Sequence, residues 1–321
     1  MLAICLLICG VSCAGQEQEE VFTVEYFADG VSIGQQTVKK GSTVTPPAAP
    51  SKDNYIFSGW TTDANGYFDF TLNTPVESDL TLHAKYSLDA VKLMNTVTTA
   101  TIRGTVKVIA NFYNKFLFTK MDEYTQTGSG VIFGSYASGR LLVLTNCHVA
   151  VDKNGRSYVD YQVMDYQGNV YAATVVDDPS APGPAKDPSY DLACLSFDPG
   201  QAQFPLIPMA ELDPEVGTDV VSVGYPGGQA NAVTIGKVRR YESITLENSV
   251  PECSNVTFPV AAHSAVIDQG SSGGALLDAN LKLVGINYAT STVNPEFNNG
   301  FAIPISKVRE FLEKYVFYYY T

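Results

Sequence analysis

Charged side chains are scarce in this sequence, and basic ones are the scarcest. Of the 321 residues only 17% are charged, with 20 Lys and Arg against 33 Asp and Glu, which gives a formal charge of −13. A nucleic-acid-binding protein needs a basic face to neutralise phosphates, so this balance argues against that class. The apolar fraction of 45% is ordinary and excludes low-complexity disorder as the main state, and the length allows two domains.

Histidine and cysteine are few as well. The three histidines are far apart in the sequence, and none of the six cysteines forms a CxxC pair. Three cysteines fall within the first 13 residues, which leaves an odd number, Cys147, Cys194 and Cys253, in the rest of the chain. We therefore expect neither a metal site nor a disulfide framework. Cys147 and Cys194 stand in apolar runs and are predicted to be core residues.

The apolar stretch at the N-terminus is too short to span a bilayer. It covers about ten residues, whereas a membrane-spanning helix needs roughly 20. Residues 1–15 fit a signal peptide, and Val11-Ser12-Cys13-Ala14 resembles a bacterial lipobox, in which the cysteine becomes the lipidated first residue. We predict export, with either a lipid anchor on Cys13 at the cell surface or simple secretion. Residues 16–20 are then a solvated linker.

Residues 21–86 alternate apolar and polar side chains, as in Phe22–Tyr26 and Leu80–Tyr86, which predicts strands. The segment resembles the Listeria–Bacteroides repeat, a small β-grasp-like module of bacterial surface proteins. The motifs that carry this resemblance are Gly59-Trp60, Thr74-Pro75-Val76 and Leu82-His83-Ala84-Lys85-Tyr86. We expect Trp60 in the core of this module and His83 exposed. The resemblance implies a spacer or adhesive role and a cell-surface partner.

Long helical patterns are missing from most of the remaining chain. Residues 87–104 predict a linker or a short helix. From residue 105 to 321 short strand-like runs alternate with turns, which favours antiparallel barrels or a sandwich and so a mostly β protein. Near the end, apolar residues from Lys307 to Val316 recur at helical spacing, and Ser306 is placed to cap that helix.

A serine between glycines suggests a nucleophile. In the run Gln269 to Gly274, the glycines allow unusual backbone angles, so the amides of Gly270 and Ser272 can point at one oxyanion beside the Ser272 hydroxyl. Serine needs a base to take its proton. His148, at the end of a buried-looking strand, is the candidate base, and His263 is its rival.

The base needs a carboxylate to orient it. Asp191 stands where a polar loop turns into an apolar strand, whereas its competitors Asp187 and Asp198 open no such strand. In the order His148, Asp191, Ser272, these residues resemble the trypsin-like serine peptidases, which share the chymotrypsin fold. The bacterial branches with the HtrA/Deg proteases and the glutamyl endopeptidases are the most similar. The motifs of the resemblance, in family order, are GSGVIF (128–133), TNCHV (145–149), YDLACL (190–195), SVGYPGG (222–228), GSSGGALL (270–277), LVGIN (283–287) and GFAIPISKVREFL (300–312).

The resemblance implies two antiparallel β-barrels with a C-terminal helix over residues 105–321. It also implies a serine endopeptidase that cleaves protein or peptide substrates through an acyl-enzyme, without metal or organic cofactor. Ser272 would be the nucleophile, His148 the base and Asp191 its orienter. The alternative is a catalytically inactive surface-binding protein that keeps a peptidase-like scaffold.

The residues of the specificity pocket follow from the same resemblance. Val266 would occupy the base of the pocket, with Ile267 beside it and Asn287-Tyr288-Ala289 along the wall. No carboxylate stands at the base, so a Lys or Arg side chain would enter without a counter-charge. We therefore expect cleavage after small or medium apolar residues. His263 could approach from the other wall, which leaves an acidic preference open.

Overall fold

A computed structural model describes residues 19–225, 232–246, 250–291 and 299–321. The chain divides into two compact units, Met1–Ser87 and Leu88–Thr321. The predicted signal peptide, with its lipidation site at Cys13, lies outside the described residues. Within the described ranges no helix is both long and apolar enough to cross a membrane.

The first unit is a five-stranded sheet. Its strands are β1 (Val21–Ala28), β2 (Val31–Lys39), β3 (Tyr55–Thr61), β4 (Asp69–Phe70) and β5 (Leu80–Leu88). They lie in the order β2-β1-β5-β3-β4, and β1 and β5 pair in parallel at the centre of the sheet. One face of these strands is apolar, as the alternation predicted, and it forms a separate hydrophobic core.

Trp60 lies in the core of this unit, as predicted. Its ring is 96% buried and meets the rings of Tyr26 and Phe57 edge-on at 5.0 and 5.3 Å. The prediction for His83 was wrong in part. His83 is half-buried rather than exposed, because its imidazole stacks on the ring of Phe27, 5.5 Å between centroids.

The first of two barrels in the second unit, the N-terminal barrel, has six strands and is closed. Strand order around it is β10-β9-β6-β7-β8-β12, and pairing of β10 with β12 closes it. Two short strands, β11 and β19, attach to its rim. The strands are β6 (Thr105–Phe116), β7 (Thr119–Tyr136), β8 (Leu141–Thr145), β9 (Tyr158–Met164), β10 (Val170–Val175), β11 (Lys186–Asp187), β12 (Leu192–Phe197) and β19 (Tyr319–Tyr320).

A second antiparallel barrel, the C-terminal barrel, follows. It is closed in the order β13-β14-β15-β18-β17-β16. Its strands are β13 (Asp219–Gly224), β14 (Ala232–Glu242), β15 (Val260–His263), β16 (Ala275–Asp278), β17 (Leu283–Ser291) and β18 (Asn299–Pro304). Buried side chains from both barrels share one continuous apolar cluster. The predicted class, a mostly β protein with two antiparallel barrels, is confirmed.

The described part of the second unit also contains three helices: α1 (Ala90–Thr99), α2 (Cys147–Ala150) and α3 (Ile305–Tyr315). A 3₁₀ turn over Thr101–Gly104 follows α1, whose Leu93 and Val97 are fully buried in the second unit. Cys147 and Cys194 are fully buried, as predicted for core residues, and both are free thiols.

The C-terminal helix has the predicted apolar face but not the predicted cap. Val308, Phe311, Leu312 and Tyr315 are buried, as their spacing indicated. The helix begins at Ile305, so Ser306 lies inside its first turn. Ser306 donates its amide and its hydroxyl to the carboxylate of Asp213, at 2.8 and 2.7 Å. An aspartate 93 residues away in sequence therefore accepts the free amide that a local cap would have accepted.

Candidate active site

A buried strand of the N-terminal barrel delivers His148 to the surface. The five residues of β8 are all buried, and the single turn α2 then turns His148 out of the barrel. The His148 side chain is 24% exposed to solvent. Asn146, fully buried at the end of the strand, donates its Nδ2 to the backbone carbonyl of Asp191 at 2.9 Å. Thus the segment that brings His148 to the surface also fixes the backbone of Asp191.

Asp191 holds His148 at two points. One carboxylate oxygen accepts the His148 backbone amide at 2.8 Å, and the other lies 2.7 Å from Nδ1 of the imidazole. The carboxylate is fully buried. Burial alone would lower the pKa of His148, but the charge and the hydrogen bond of Asp191 outweigh it, so the pKa is raised. Since Nδ1 faces Asp191, Nε2 is the nitrogen left for the cleft.

The rival carboxylates have other partners. Asp187 accepts hydrogen bonds from Ser189, from Lys314 Nζ at 2.9 Å and from Tyr315 hydroxyl at 2.8 Å. These bonds connect the turn before Asp191 to helix α3. Burial raises the pKa of Asp187, but the bonds from these donors outweigh it, so the pKa is lowered. Asp198 is exposed and accepts the amide of Gly200 at 2.9 Å.

Ser272 lies in the loop between β15 and β16. Gly270 and Gly273 have positive φ angles of 96° and 85°, which the predicted loop required. The amides of residues 271, 273 and 274 donate to backbone carbonyls. By contrast, the amides of Gly270 and Ser272 have no hydrogen-bond acceptor among the described residues. The fold therefore leaves these two amides without an acceptor, and they are the two that the sequence predicted for an oxyanion hole.

The hydroxyl of Ser272 is engaged only weakly. It donates a long hydrogen bond, 3.5 Å, to the carbonyl of Tyr288, and no hydrogen bond joins it to His148 in the part of the chain that the structure describes. Both residues line the same cleft, a cavity of about 470 Å³. Rotation about one side-chain bond re-aims a serine hydroxyl, and such contacts are often loose without substrate.

Ser129 is a structural residue of this site that sequence reasoning missed. Its amide donates to the carbonyl of Ser272 at 2.7 Å, and its hydroxyl donates to the carbonyl of Gly270 at 2.7 Å. The backbone of Gly273 also passes so close to Ser129 and Thr145 that a side chain there would collide with them. The glycine-flanked GSG motif at 128–130 was the available signal, because small residues permit this close approach.

The predicted pocket residues differ in burial. Ile267, Asn287 and Tyr288 are buried, Ala289 is half-buried and Val266 is 56% exposed. Asn287 donates its Nδ2 to Ser222 Oγ at 2.8 Å, and its Oδ1 lacks a partner of good geometry among the described residues.

His263 is fully buried and does not reach the cleft that His148 lines. Its imidazole lies against Gly300 of the neighbouring strand, where any side chain would displace it. Among the described residues neither ring nitrogen has a hydrogen-bond partner of good geometry. Burial lowers the pKa of His263 to about 4, so the imidazole is neutral at pH 7.

Comparison with known proteins agrees with this geometry. Residues 128–286 match the trypsin-like peptidase domain family, and residues 22–85 match the Listeria-Bacteroides repeat domain. The serine protease Rv3671c of Mycobacterium tuberculosis is 31% identical over 173 residues, which are 54% of this chain and 39% of that protein. The periplasmic serine endoprotease DegP of Salmonella typhimurium is 32% identical over 203 residues, 62% of this chain and 38% of that protein.

The solved structures give the same result for the fold. The crystal structure of Rv3671c protease in its active form has a TM-score of 0.53 and 25% identity, and covers 71% of this chain and 87% of that chain. The second unit therefore belongs to the trypsin-like serine protease family, with HtrA and Deg proteases among its relatives, and the first unit is a Listeria-Bacteroides repeat. Both recognitions were predicted from the motifs. The chain spans about two fifths of the length of the curated relatives it matches.

Proposed function

We propose that this protein is a serine endopeptidase that hydrolyses peptide bonds of protein substrates through an acyl-enzyme. The observation that carries the proposal is the two-point contact of Asp191 with His148, on the same cleft as Ser272. A carboxylate in this position fixes the imidazole in the tautomer whose Nε2 accepts a proton, and it stabilises the imidazolium that forms.

In the first half-reaction, Ser272 Oγ attacks the carbonyl carbon of the scissile bond and its proton passes to His148 Nε2. In this proposal the amides of Gly270 and Ser272, which have no acceptor among the described residues, donate to the oxyanion of the tetrahedral intermediate. The carbon–nitrogen bond then breaks, and His148 gives its proton to the leaving amine. The product of this step is an ester on Ser272.

In the second half-reaction, water attacks this ester while His148 takes a proton from the water. The carbon–oxygen bond to Ser272 breaks, and His148 returns the proton to the serine oxygen. The acid product leaves and the enzyme is restored. None of these steps needs a metal or an organic cofactor.

A fluorophosphonate label tests the proposal. The wild-type chain should be labelled, Ser272→Ala should not be, and Ser271→Ala, which changes the neighbouring serine, should retain labelling. Hydrolysis of a peptide substrate should follow the same order. A wild-type protein that is folded but neither labelled nor active would favour the catalytically inactive surface binder instead.

For the specificity pocket we propose Val266 and Ile267 near the base, Asn287, Tyr288 and Ala289 along the wall, and His263 behind it. A neutral His263 supplies no positive charge for an acidic side chain, and no carboxylate among these residues would meet a basic one. Both points support a preference for Val, Ala or Leu before the cleaved bond. A peptide-library profile dominated by Glu, Lys or Arg would contradict this assignment.

We also propose that the protein is exported, with Cys13 as a lipid anchor and a cell-surface partner for the Listeria-Bacteroides repeat. The DegP relative is named as a periplasmic protein, which supports export. Metabolic labelling with a fatty-acid analogue should mark the wild-type protein and not Cys13→Ser. Labelling of neither, with the protein in the medium, would indicate simple secretion.

A further inference from the structure

The first two strands of the N-terminal barrel extend beyond it as a hairpin. The pairing of β6 with β9 ends at Tyr113 opposite Tyr158, whereas β6 and β7 continue to pair as far as Phe116 opposite Thr119. Residues 114–121 are therefore a two-stranded ribbon with a two-residue turn. The ribbon is braced at its root, because the Arg156 guanidinium donates to the carbonyl and the carboxylate of Asp122.

The tip of this hairpin is apolar and largely exposed to solvent. Phe116, Leu117 and Phe118, which we call the apolar tip, are 67%, 80% and 102% exposed. Single exposed apolar residues are normal on a protein surface, but three consecutive large ones at a protruding turn are not. Leu117 also has a φ of +55°, in the left-handed region where hairpin turns use Gly, Asn or Asp. Such a strained leucine points to a function for its side chain.

Behind the apolar tip lies a collar of lysine and tyrosine. Lys115 and Lys120 are opposite each other, one pair behind the tip. Their ammonium groups lie over aromatic rings, 4.6 Å from the centroid of Tyr158 and 4.1 Å from that of Tyr113. Lysine and tyrosine together with an apolar tip match the polarity gradient of a bilayer surface, where long cationic and aromatic side chains lie at the headgroup level.

We propose that the apolar tip inserts into the surface of a lipid bilayer, with the collar at the headgroups. A lipid surface fits better than a protein groove, because the apolar side chains sit on a convex point and the polar collar surrounds it on both strands. Lys120 already pairs with Asp160 at 2.6 Å, and the whole chain carries a charge of −13. Attraction to anionic lipid is therefore weak, and burial of the three apolar side chains supplies the affinity.

Insertion would also place the cleft near the membrane. Strand β7 runs from the tip to Tyr124–Thr127, which line the cleft with His148 and Ser272. Eight residues of extended strand cover about 27 Å. This consequence rests on the proposed peptidase function, and it identifies the substrates as protein segments close to a membrane surface.

Vesicle flotation tests the insertion separately from catalysis. The full chain carries Cys13→Ser in every variant, so that no lipid can be attached there. The parent protein should float with phosphatidylcholine vesicles that contain phosphatidylglycerol. Because the contact is apolar, the bound fraction should change little in about 0.5 M salt, where the Debye length is only a few Å. Replacement of Leu117 and Phe118 by Asp should lower the partition coefficient by at least about tenfold. The matched control is Val170→Asp, because Val170 is a 51% exposed apolar residue on another hairpin.

A tryptophan reports the depth of insertion. Trp60 is buried, so quenchers in the bilayer should not reach it. In Phe118→Trp, the new tryptophan should therefore be the only one whose fluorescence is quenched by brominated lipids. All variants should hydrolyse a small soluble peptide at the parent rate, because none touches the cleft. The proposal is overturned if the parent does not float, or if the tip variant binds as well as the Val170 control. It is also overturned if the tip variant loses only self-association or the capture of a protein.

Discussion

The second unit contains two histidines that the fold treats in opposite ways. His148, in the N-terminal barrel, has a carboxylate partner that raises its pKa. His263, in the C-terminal barrel, is more deeply buried and has no carboxylate partner among the described residues, so burial lowers its pKa to about 4. From residue type alone both were candidate bases. The partner of a buried imidazole, and not its burial, therefore prepares it to accept a proton.

Removal of the carboxylate partner should have the largest effect. In Asp191→Asn, an amide can donate to His148 Nδ1, which places the remaining proton on Nε2 and removes the acceptor that Ser272 needs. We expect kcat to fall about 10⁴-fold while the fold is kept. In the wild type, kcat/KM should fall as pH drops through the raised pKa of His148, above its ordinary 6.5. Steady-state kinetics between pH 5 and 9 measure both effects, and a loss of less than tenfold would contradict the role of Asp191.

Replacement of His263 should change the free energy of unfolding and not kcat. The unfolded chain binds a proton at His263 below about pH 6.5, whereas the folded protein binds it only below about 4, so lowering the pH between these values favours unfolding. This contribution reaches about 3 kcal/mol at pH 4. In His263→Phe, which keeps a ring against Gly300, that part of the acid destabilisation should disappear. Urea unfolding at pH 7 and at pH 4.5 measures it.

The control for this prediction is His148, the proposed base. His263→Phe should retain kcat at pH 8 within a few fold, whereas His148→Phe should lose it. If the two variants showed the reverse pattern, the assignment of the base would be wrong.

Asp187 tests whether the C-terminal helix supports the partner of His148. Asp187→Asn keeps the shape but weakens the bonds from Lys314 and Tyr315 to the turn before Asp191. We expect a loss of about 2 kcal/mol in the free energy of unfolding, the size of one hydrogen bond to a charged group. We also expect a lower kcat at unchanged KM, because Asp187 does not touch the substrate. Asp198→Asn, an exposed carboxylate, should change neither quantity.

The sequence predicted the barrels and the candidate catalytic residues, because each motif lies within a few residues of the feature it marks. It did not predict contacts between distant segments. Ser129 reaches Gly270 across 141 residues, Lys314 reaches Asp187 across 127, and Ser306 reaches Asp213 across 93. These pairs depend on how two closed barrels pack, which no local pattern encodes. The same limit explains His83, whose polar position in its strand did not reveal the ring of Phe27 beside it.

The smallest effect is expected from removal of the first unit, since both histidines of the comparison lie in the second. A shortened protein that starts at Ser87 should hydrolyse a small peptide at the parent rate.

A longer truncation tests helix α1. Residues 87–104 were predicted to be a linker or a short helix, and Leu93 and Val97 of α1 are fully buried in the second unit. A protein that starts at Thr105 should therefore lose the burial of both, about 1.5–3 kcal/mol for each side chain. Thermal unfolding and peptide hydrolysis of the two proteins, side by side, measure this difference. Equal stability would show that α1 is dispensable, whereas loss of activity in the folded Ser87 protein would show that the first unit contributes to the site.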